Sequence, residues 1–181
     1  DIPNTRMFNL PITYRCAKNI VKYANTVVKD IIACDDAPDG VIKDEAHVSD
    51  ICDGDMVLSR TTAKLVEVYT KLLRRNTKCY IKGKEIGDNL INMLNSVKQT
   101  ELNRNLDDDG VFARLYENMF MERNRTMLSS GIDSDDAIMS LNVMQMLDSI
   151  QTLYTLSEGC VSKEEVIGKI KKIFLDSSEG I

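Results

Sequence analysis

The sequence predicts an α/β half up to about residue 88, followed by an all-helical half. Over residues 1–88, short apolar runs alternate with apolar residues at helical spacing, whereas from Gly87 onward the spacing is helical only. We therefore place the domain boundary at 88/89, with domains at 1–88 and 89–181. No apolar run reaches the roughly 18–20 residues that a membrane span needs. We expect a cytoplasmic chain with no membrane partner.

Three short apolar segments of the first half predict strands that alternate with two helices. These strands are Phe8–Tyr14, Asp55–Ser59 and Lys78–Lys82. The first helix begins after Cys16, and its apolar stripe extends to Ile31. The second helix begins at Thr61 or Thr62, either of which can supply the N-cap, and ends near Asn76. Because strands and helices alternate with short connections, we expect parallel strands.

A long acidic loop, Asp35–Gly54, separates the first helix from the second predicted strand. Val41–Ile42 is a candidate short strand inside it, and His47 is expected to face solvent.

Apolar stripes and one capping box predict the helices of the second half. Their residues are Leu90, Ile91, Leu94 and Val97; Phe112, Leu115, Tyr116 and Met119; Ile138, Leu141, Leu147, Ile150 and Tyr154; and, after the Ser162–Glu165 capping box, Val166, Ile170, Ile173 and Phe174.

The formal net charge of −5 conceals a basic region. Residues 56–104 carry ten basic and four acidic side chains, whereas the segments on both sides, 34–55 and 105–181, are strongly acidic. We call its densest part the basic cluster, and its members are Lys71, Arg74, Arg75, Lys78, Lys82 and Lys84. A local cluster suffices to bind phosphate. The alternative is a solvated helix end and hairpin.

Several types of catalytic or metal site are excluded by residue type and spacing. The five cysteines form no C-x-x-C pair and His47 is the sole histidine, so zinc and a self-contained hydrolase site are disfavoured. Asn105–Gly110 starts like a calcium loop, but Tyr116 stands where the bidentate Glu belongs. We interpret Asp107–Gly110 as a turn and helix start. Gly83–Gly87 lacks the Walker A spacing. We expect no metal site.

Two segments carry motif-like residues in a fixed order. Leu10–Asn25 (LPITYRCAKNIVKYAN) places Tyr14 and Arg15 at a strand end before a helix, and Asp55–Ala63 (DMVLSRTTA) is a strand, a turn and a helix start. This ordered pair resembles motif IV and the next strand-turn-helix of superfamily 1 DNA helicases of the UvrD/Rep/PcrA type. Cys79–Gly83 (CYIKG) resembles the strand that follows in that family.

The resemblance implies a RecA-like partial second motor domain over 1–88 and an inserted helical subdomain over 89–181. By the same resemblance, Arg15 would contact the γ-phosphate of ATP as an arginine finger, and Tyr14 would flank the adenine. The alternative for Arg15 is a surface ion pair, and for Tyr14 it is core packing.

The same resemblance places Arg60, Thr61 and Thr62 on single-stranded DNA. Thr62 stands where the family usually has Asn, and Cys16 where it usually has Ser, so both positions depart from the pattern. An N-cap role for Thr62 remains the alternative. Within the basic cluster, Lys82 and Lys84 are candidates for the DNA backbone.

The Walker motifs and the H-x-A-K-G-L-E strand of the family are missing, and the chain stops at residues 178–181, about where the latter would begin. With Asp1 rather than Met at its start, the chain reads as a piece of a longer protein. We expect a parent helicase, active in DNA repair or replication, that uses ATP with Mg on single-stranded and duplex DNA. The piece alone, without the first motor domain, would bind no cofactor and be inactive. The alternative is a non-catalytic helicase-like or α/β-plus-helical protein-interaction module.

Overall fold

The computed structural model describes residues 10–106 and 109–175, which fall into two compact units. The first unit ends at Asp50 and the second begins at Ile51. This division does not coincide with the predicted boundary at 88/89. Residues 51–88 belong to the second unit because α2 (Thr62–Arg74) packs against a helix from the far end of the chain, α6 (Leu141–Leu156).

The first unit is built on a small β-α-β arrangement. Strands β1 (Ile12–Thr13) and β2 (Ile32–Ala33) pair in parallel, and α1 (Lys18–Ala24) connects them. The parallel pairing confirms the α/β character of this end of the chain. The second strand differs from the prediction, because residues 32–33 supply it rather than 55–59. Phe8 and Asn9, the start of the first predicted strand, lie outside the described residues.

Helix α1 is shorter than its apolar pattern predicts. The side-chain amide of Asn25 donates to the Ile31 carbonyl at 2.8 Å, and its oxygen accepts from the Ile31 N–H at 3.3 Å. These bonds turn the chain after Ala24 and leave Val27 and Val28 exposed. The predicted stripe to Ile31 is therefore wrong, since a side-chain bond competes with the helix ladder at this point.

The acidic loop packs back on the start of α1. The N–H groups of Lys18 and Asn19 donate to the carbonyls of Pro38 and Asp39 at 2.9 and 2.8 Å, so loop carbonyls satisfy the open end of the helix. Val41–Ile42 forms no strand, which makes that prediction wrong. His47 is exposed, as expected.

The other two predicted strands, Asp55–Ser59 and Lys78–Lys82, are wrong: both segments are irregular. A strand needs a neighbouring ladder, and none of the described residues pairs with either segment. Met56 and Leu58 are consequently exposed, whereas Ile81 is drawn into the helical core.

Helices dominate the second unit, as predicted. After α2 they are α3 (Lys84–Ser96), α4 (Val111–Ser130), α5 (Ser134–Ile138), α6 and α7 (Lys163–Ile170), which continues as a π-helical turn, Lys171–Leu175. The third predicted stripe is divided between α5 and α6, and its members Ile138 and Leu141 are exposed. Within the described ranges, no helix combines the length and the apolar content that crossing a bilayer requires.

Apolar faces from α2, α3, α4, α6 and α7 share one core. Its fully buried members include Val66, Leu90, Leu94, Phe112, Ile150, Leu153, Val166, Ile170 and Phe174. The stripes of the second half are therefore largely confirmed, because most of the residues that they single out face this core.

Several predicted helix ends are confirmed. Asn76 adopts a left-handed conformation, φ +56°, immediately after Arg75, the C-cap residue of α2. Ser162 accepts a hydrogen bond from the Glu165 N–H at the start of α7. Gly110 occupies the N-cap position of α4. Asp107 and Asp108 of the predicted turn lie outside the described residues.

Candidate functional site

Tyr14 and Arg15 stand at the carboxyl end of β1, before α1. Both are exposed, with Tyr14 at 83%. Core packing of Tyr14 is therefore wrong. Within residues 10–106 and 109–175 no carboxylate forms an ion pair with Arg15. The crevice beyond the carboxyl ends of parallel strands is where α/β folds hold their ligands, so both side chains are available to a ligand there.

Arg60, Thr61 and Thr62 surround the start of α2 in the second unit. Arg60 is exposed, Thr61 occupies the N-cap position and Thr62 is the first helical residue. Neither threonine caps the helix with its side chain, so the N-cap interpretation of Thr62 is wrong. The cap comes from Asp148 in α6, whose two carboxylate oxygens accept from the N–H groups of Thr62 and Ala63 at 2.9 and 3.2 Å.

The Asp148 carboxylate determines which groups near Arg60 can bind an anion. A free helix N-terminus attracts phosphate through its unpaired N–H groups and its positive dipole end. Here a carboxylate already accepts from two of those groups. Any phosphate contact in this region must therefore come from side chains such as Arg60 rather than from the helix end.

Lys82 and Lys84 are exposed on either side of Gly83, at the start of α3. Lys84 is the first residue of that helix, where a cation is electrostatically unfavourable to the helix itself. The two ammonium groups are thus accessible to a polyanion, and they serve no capping function.

The structure extends the basic cluster with side chains from the end of the chain. Lys71 and Arg74 of α2 line a cavity of about 500 Å³ together with Lys169, Lys172 and two carboxylates, Glu67 and Glu158, and we call this cavity, whose lining is net positive, the basic groove. The Lys169 ammonium group is held in place because it donates to two carbonyls near the end of α6, at 3.1 and 2.6 Å. The sequence identified only the two members on α2.

A second cavity, of about 420 Å³, lies beside Thr61, and we call it the aromatic pocket. Arg104 and Tyr154 line it, with the Arg104 guanidinium carbon 4.0 Å from the centroid of the Tyr154 ring. Phe112 packs its ring against Tyr154 edge to face, with centroids 5.3 Å apart. A cation over an aromatic face is a favourable electrostatic pair.

Sequence reasoning did not identify Asp148, Arg104 or Lys169 as functional candidates, and it did not identify Tyr154 as a ring partner. Asp148, Arg104 and Tyr154 contact residues more than 40 positions away, and Lys169 donates to carbonyls 11 and 13 positions away, so no local spacing signals these contacts. The only available signals were the basic excess of residues 56–104, which contains Arg104, and the aromatic side chain of Tyr154 itself.

Cys79 is a partly buried cysteine beside Tyr69. Burial raises the pKa of its thiol, and burial, with a smaller contribution from Cys79, raises the pKa of Tyr69. The Cys79 sulfur lies 3.9 Å from the Tyr69 carbonyl oxygen. A raised pKa keeps the thiol protonated near neutral pH, which opposes a nucleophilic role.

Among the described residues, no three His, Cys, Asp or Glu side chains gather into a potential metal site. No protein-family model, curated protein or solved structure matches the chain. The candidate site therefore consists of two parts defined by their own geometry: Tyr14 with Arg15 in the first unit, and the cationic surface around α2 in the second.

Proposed function

We propose that this chain is part of an ATP-dependent DNA helicase of the UvrD/Rep/PcrA type, which couples ATP hydrolysis to movement on single-stranded DNA and to unwinding of the duplex. The observation that carries the proposal is the exposed Tyr14–Arg15 pair at the carboxyl end of β1, in a β-α-β arrangement. It is the placement that an arginine acting on a nucleotide bound outside the sheet requires.

In this proposal Arg15 acts on the transferring phosphoryl group. Its guanidinium is permanently charged and can bind two phosphate oxygens at once, so it stabilises the charge that accumulates in the transition state. Tyr14 offers an uncovered ring face to the adenine. Magnesium would enter with the ATP phosphates and neutralise their charge. The remaining phosphate contacts would come from a first motor domain of the same protein.

A RecA-like sheet belongs to the same proposal. The parallel pairing of β1 and β2 through α1 supports it, because a parallel sheet is built from such β-α-β units.

The DNA surface of the proposal lies in the second unit. Arg60 is an exposed cation just before the start of α2, and the basic groove adds four more cations along and beyond that helix. Cations that neutralise successive phosphates release bound counterions, so binding to single-stranded DNA should weaken steeply with salt.

Replacing Arg15 with alanine in the parent protein tests the nucleotide role. We expect ATP turnover to fall by about 10³-fold or more, the range found for arginine fingers, because the transition-state charge loses its partner. Arg125→Ala is the matched control, since Arg125 is an exposed arginine on α4. Circular dichroism should show both variants folded. Undiminished turnover of the Arg15 variant would contradict the proposal.

A non-catalytic protein-interaction module is the second candidate. The exposed apolar side chains of Met56 and Leu58 favour it, because a partner protein can cover such a patch. The surrounding gene distinguishes the two candidates. A Walker A motif upstream and an H-x-A-K-G-L-E motif downstream would support the motor, whereas an open reading frame that ends near Ile181 would support the module.

A further inference from the structure

The aromatic pocket holds a rigid ring at its edge. Tyr154 is about one-third exposed, and its buried side is fixed by edge-to-face packing on Phe112, which is fully buried in the core. A ring that is anchored in this way loses little further freedom when a ligand stacks nearby.

Arg104 converts this ring into a stacking surface. Its guanidinium carbon lies 4.0 Å from the centre of the ring, and the residue is exposed, so the guanidinium is accessible to solvent. A planar guanidinium stacks on aromatic rings through both of its faces, which an ammonium group cannot do. The pair therefore presents a flat, cationic surface to a flat ligand.

The polar groups of the pocket suit one nucleotide of a strand. Lys64 adds a second cation and Glu67 adds one carboxylate, which leaves a net positive lining, and Gln151 adds an amide that can donate to and accept from a base edge. The cavity is in the size range of small-ligand sites. Thr61 lines the same pocket and directly follows Arg60 in the chain, so Arg60 is the sequence neighbour of a pocket-lining residue.

We propose that the aromatic pocket binds one base of single-stranded nucleic acid, stacked on the outer face of the Arg104 guanidinium in a Tyr154–Arg104–base sandwich. This inference rests on the proposed function, and it adds a base contact, outside the segments that resemble the helicase family, to the backbone contacts proposed there. Every base can stack on a π-face or a guanidinium, so the pocket would bind the strand without sequence preference.

The test separates base stacking from phosphate attraction. The full 181-residue chain is titrated with a labelled thymidine oligonucleotide of about ten nucleotides, within the usual site size, and with an abasic oligonucleotide of equal phosphate count. Fluorescence anisotropy gives both Kd values. We expect the abasic strand to bind about fivefold more weakly to the unchanged chain, the low end of the contribution of one stacked base.

Arg104→Lys is the informative variant because it keeps the charge and removes the plane. We expect it to abolish the difference between the two oligonucleotides while the dependence of Kd on salt is unchanged. Tyr154→Leu should also abolish the difference, since Arg104 loses its support. Arg125→Lys, the same change on the exposed surface of α4, should retain it.

Two results would overturn the inference: equal affinity of the unchanged chain for both oligonucleotides, or a difference that survives in Arg104→Lys. If either occurs while ATP turnover of the parent depends on Arg15, the pocket assignment fails alone. If the base difference depends on Arg104 while turnover is independent of Arg15, the helicase mechanism fails and the single-strand pocket stands.

Discussion

Replacing Asp148 with alanine removes the acceptor that caps α2 from a neighbouring helix. Asp148 lies more than 80 residues after the two amides that it binds, so the substitution leaves the local sequence of α2 unchanged. The N–H groups of Thr62 and Ala63 then lose their partner, and the favourable interaction of a carboxylate with the positive end of the helix dipole is lost with it.

The expected cost follows from two opposing contributions. Loss of an N-terminal capping carboxylate costs about 1–2 kcal/mol. Alanine is a better helix former than aspartate by about 0.6 kcal/mol, which offsets part of that cost within α6. We expect the free energy of unfolding to fall by about 1 kcal/mol, which corresponds to a Tm lower by about 2–4 °C for a chain of this size.

The assay combines thermal melting with amide hydrogen exchange. In Asp148→Ala the amides of Thr62 and Ala63 should lose protection, while Asp148→Asn, which keeps one acceptor oxygen, should lie between it and the unchanged protein. Asp88→Ala, an exposed aspartate on α3, is the control and should not destabilise. An unchanged Tm together with unchanged protection of both amides would refute the capping role.

Two further predictions concern packing and pH. Gly87→Ala should destabilise by about 1–3 kcal/mol in urea melts, because its Cβ would lie 2.7 Å from the Phe174 Cβ. Gly168→Ala, with no neighbouring atom within 4 Å of the new Cβ, should stabilise by about 0.5–1 kcal/mol. A Gly87→Ala variant more stable than Gly168→Ala would contradict this account. Because burial raises the native pKa of Cys79, the stability linked to it is complete below the ordinary thiol pKa and is lost as pH rises through the raised value. In urea melts between about pH 7 and 10, the free energy of unfolding should fall less with rising pH for Cys79→Ala than for the unchanged protein. An equal fall would exclude the thiol as the source of the pH dependence.

The helical half was predictable because periodic apolar residues and local caps act over a few residues. Val166, Ile170 and Phe174 face the core as their spacing predicts, and Ser162 caps α7 from three residues away. Arg15 also lies between a strand and a helix, as the sequence pattern predicted. The strand predicted at Asp55–Ser59 is wrong because a strand forms only beside a neighbouring strand, and the sequence pattern does not specify one.

Sequence by itself determined the helical second half, the α/β character of the start, and a basic region within an acidic chain. All three depend on composition or on spacing within one turn or one strand. Tertiary structure alone decided that Asp148 caps α2, that Arg104 lies on Tyr154 and that Lys169 joins Lys71 at the basic groove. Each of these arrangements involves residues far apart in the chain, and only packing of the helices around a shared core brings them together.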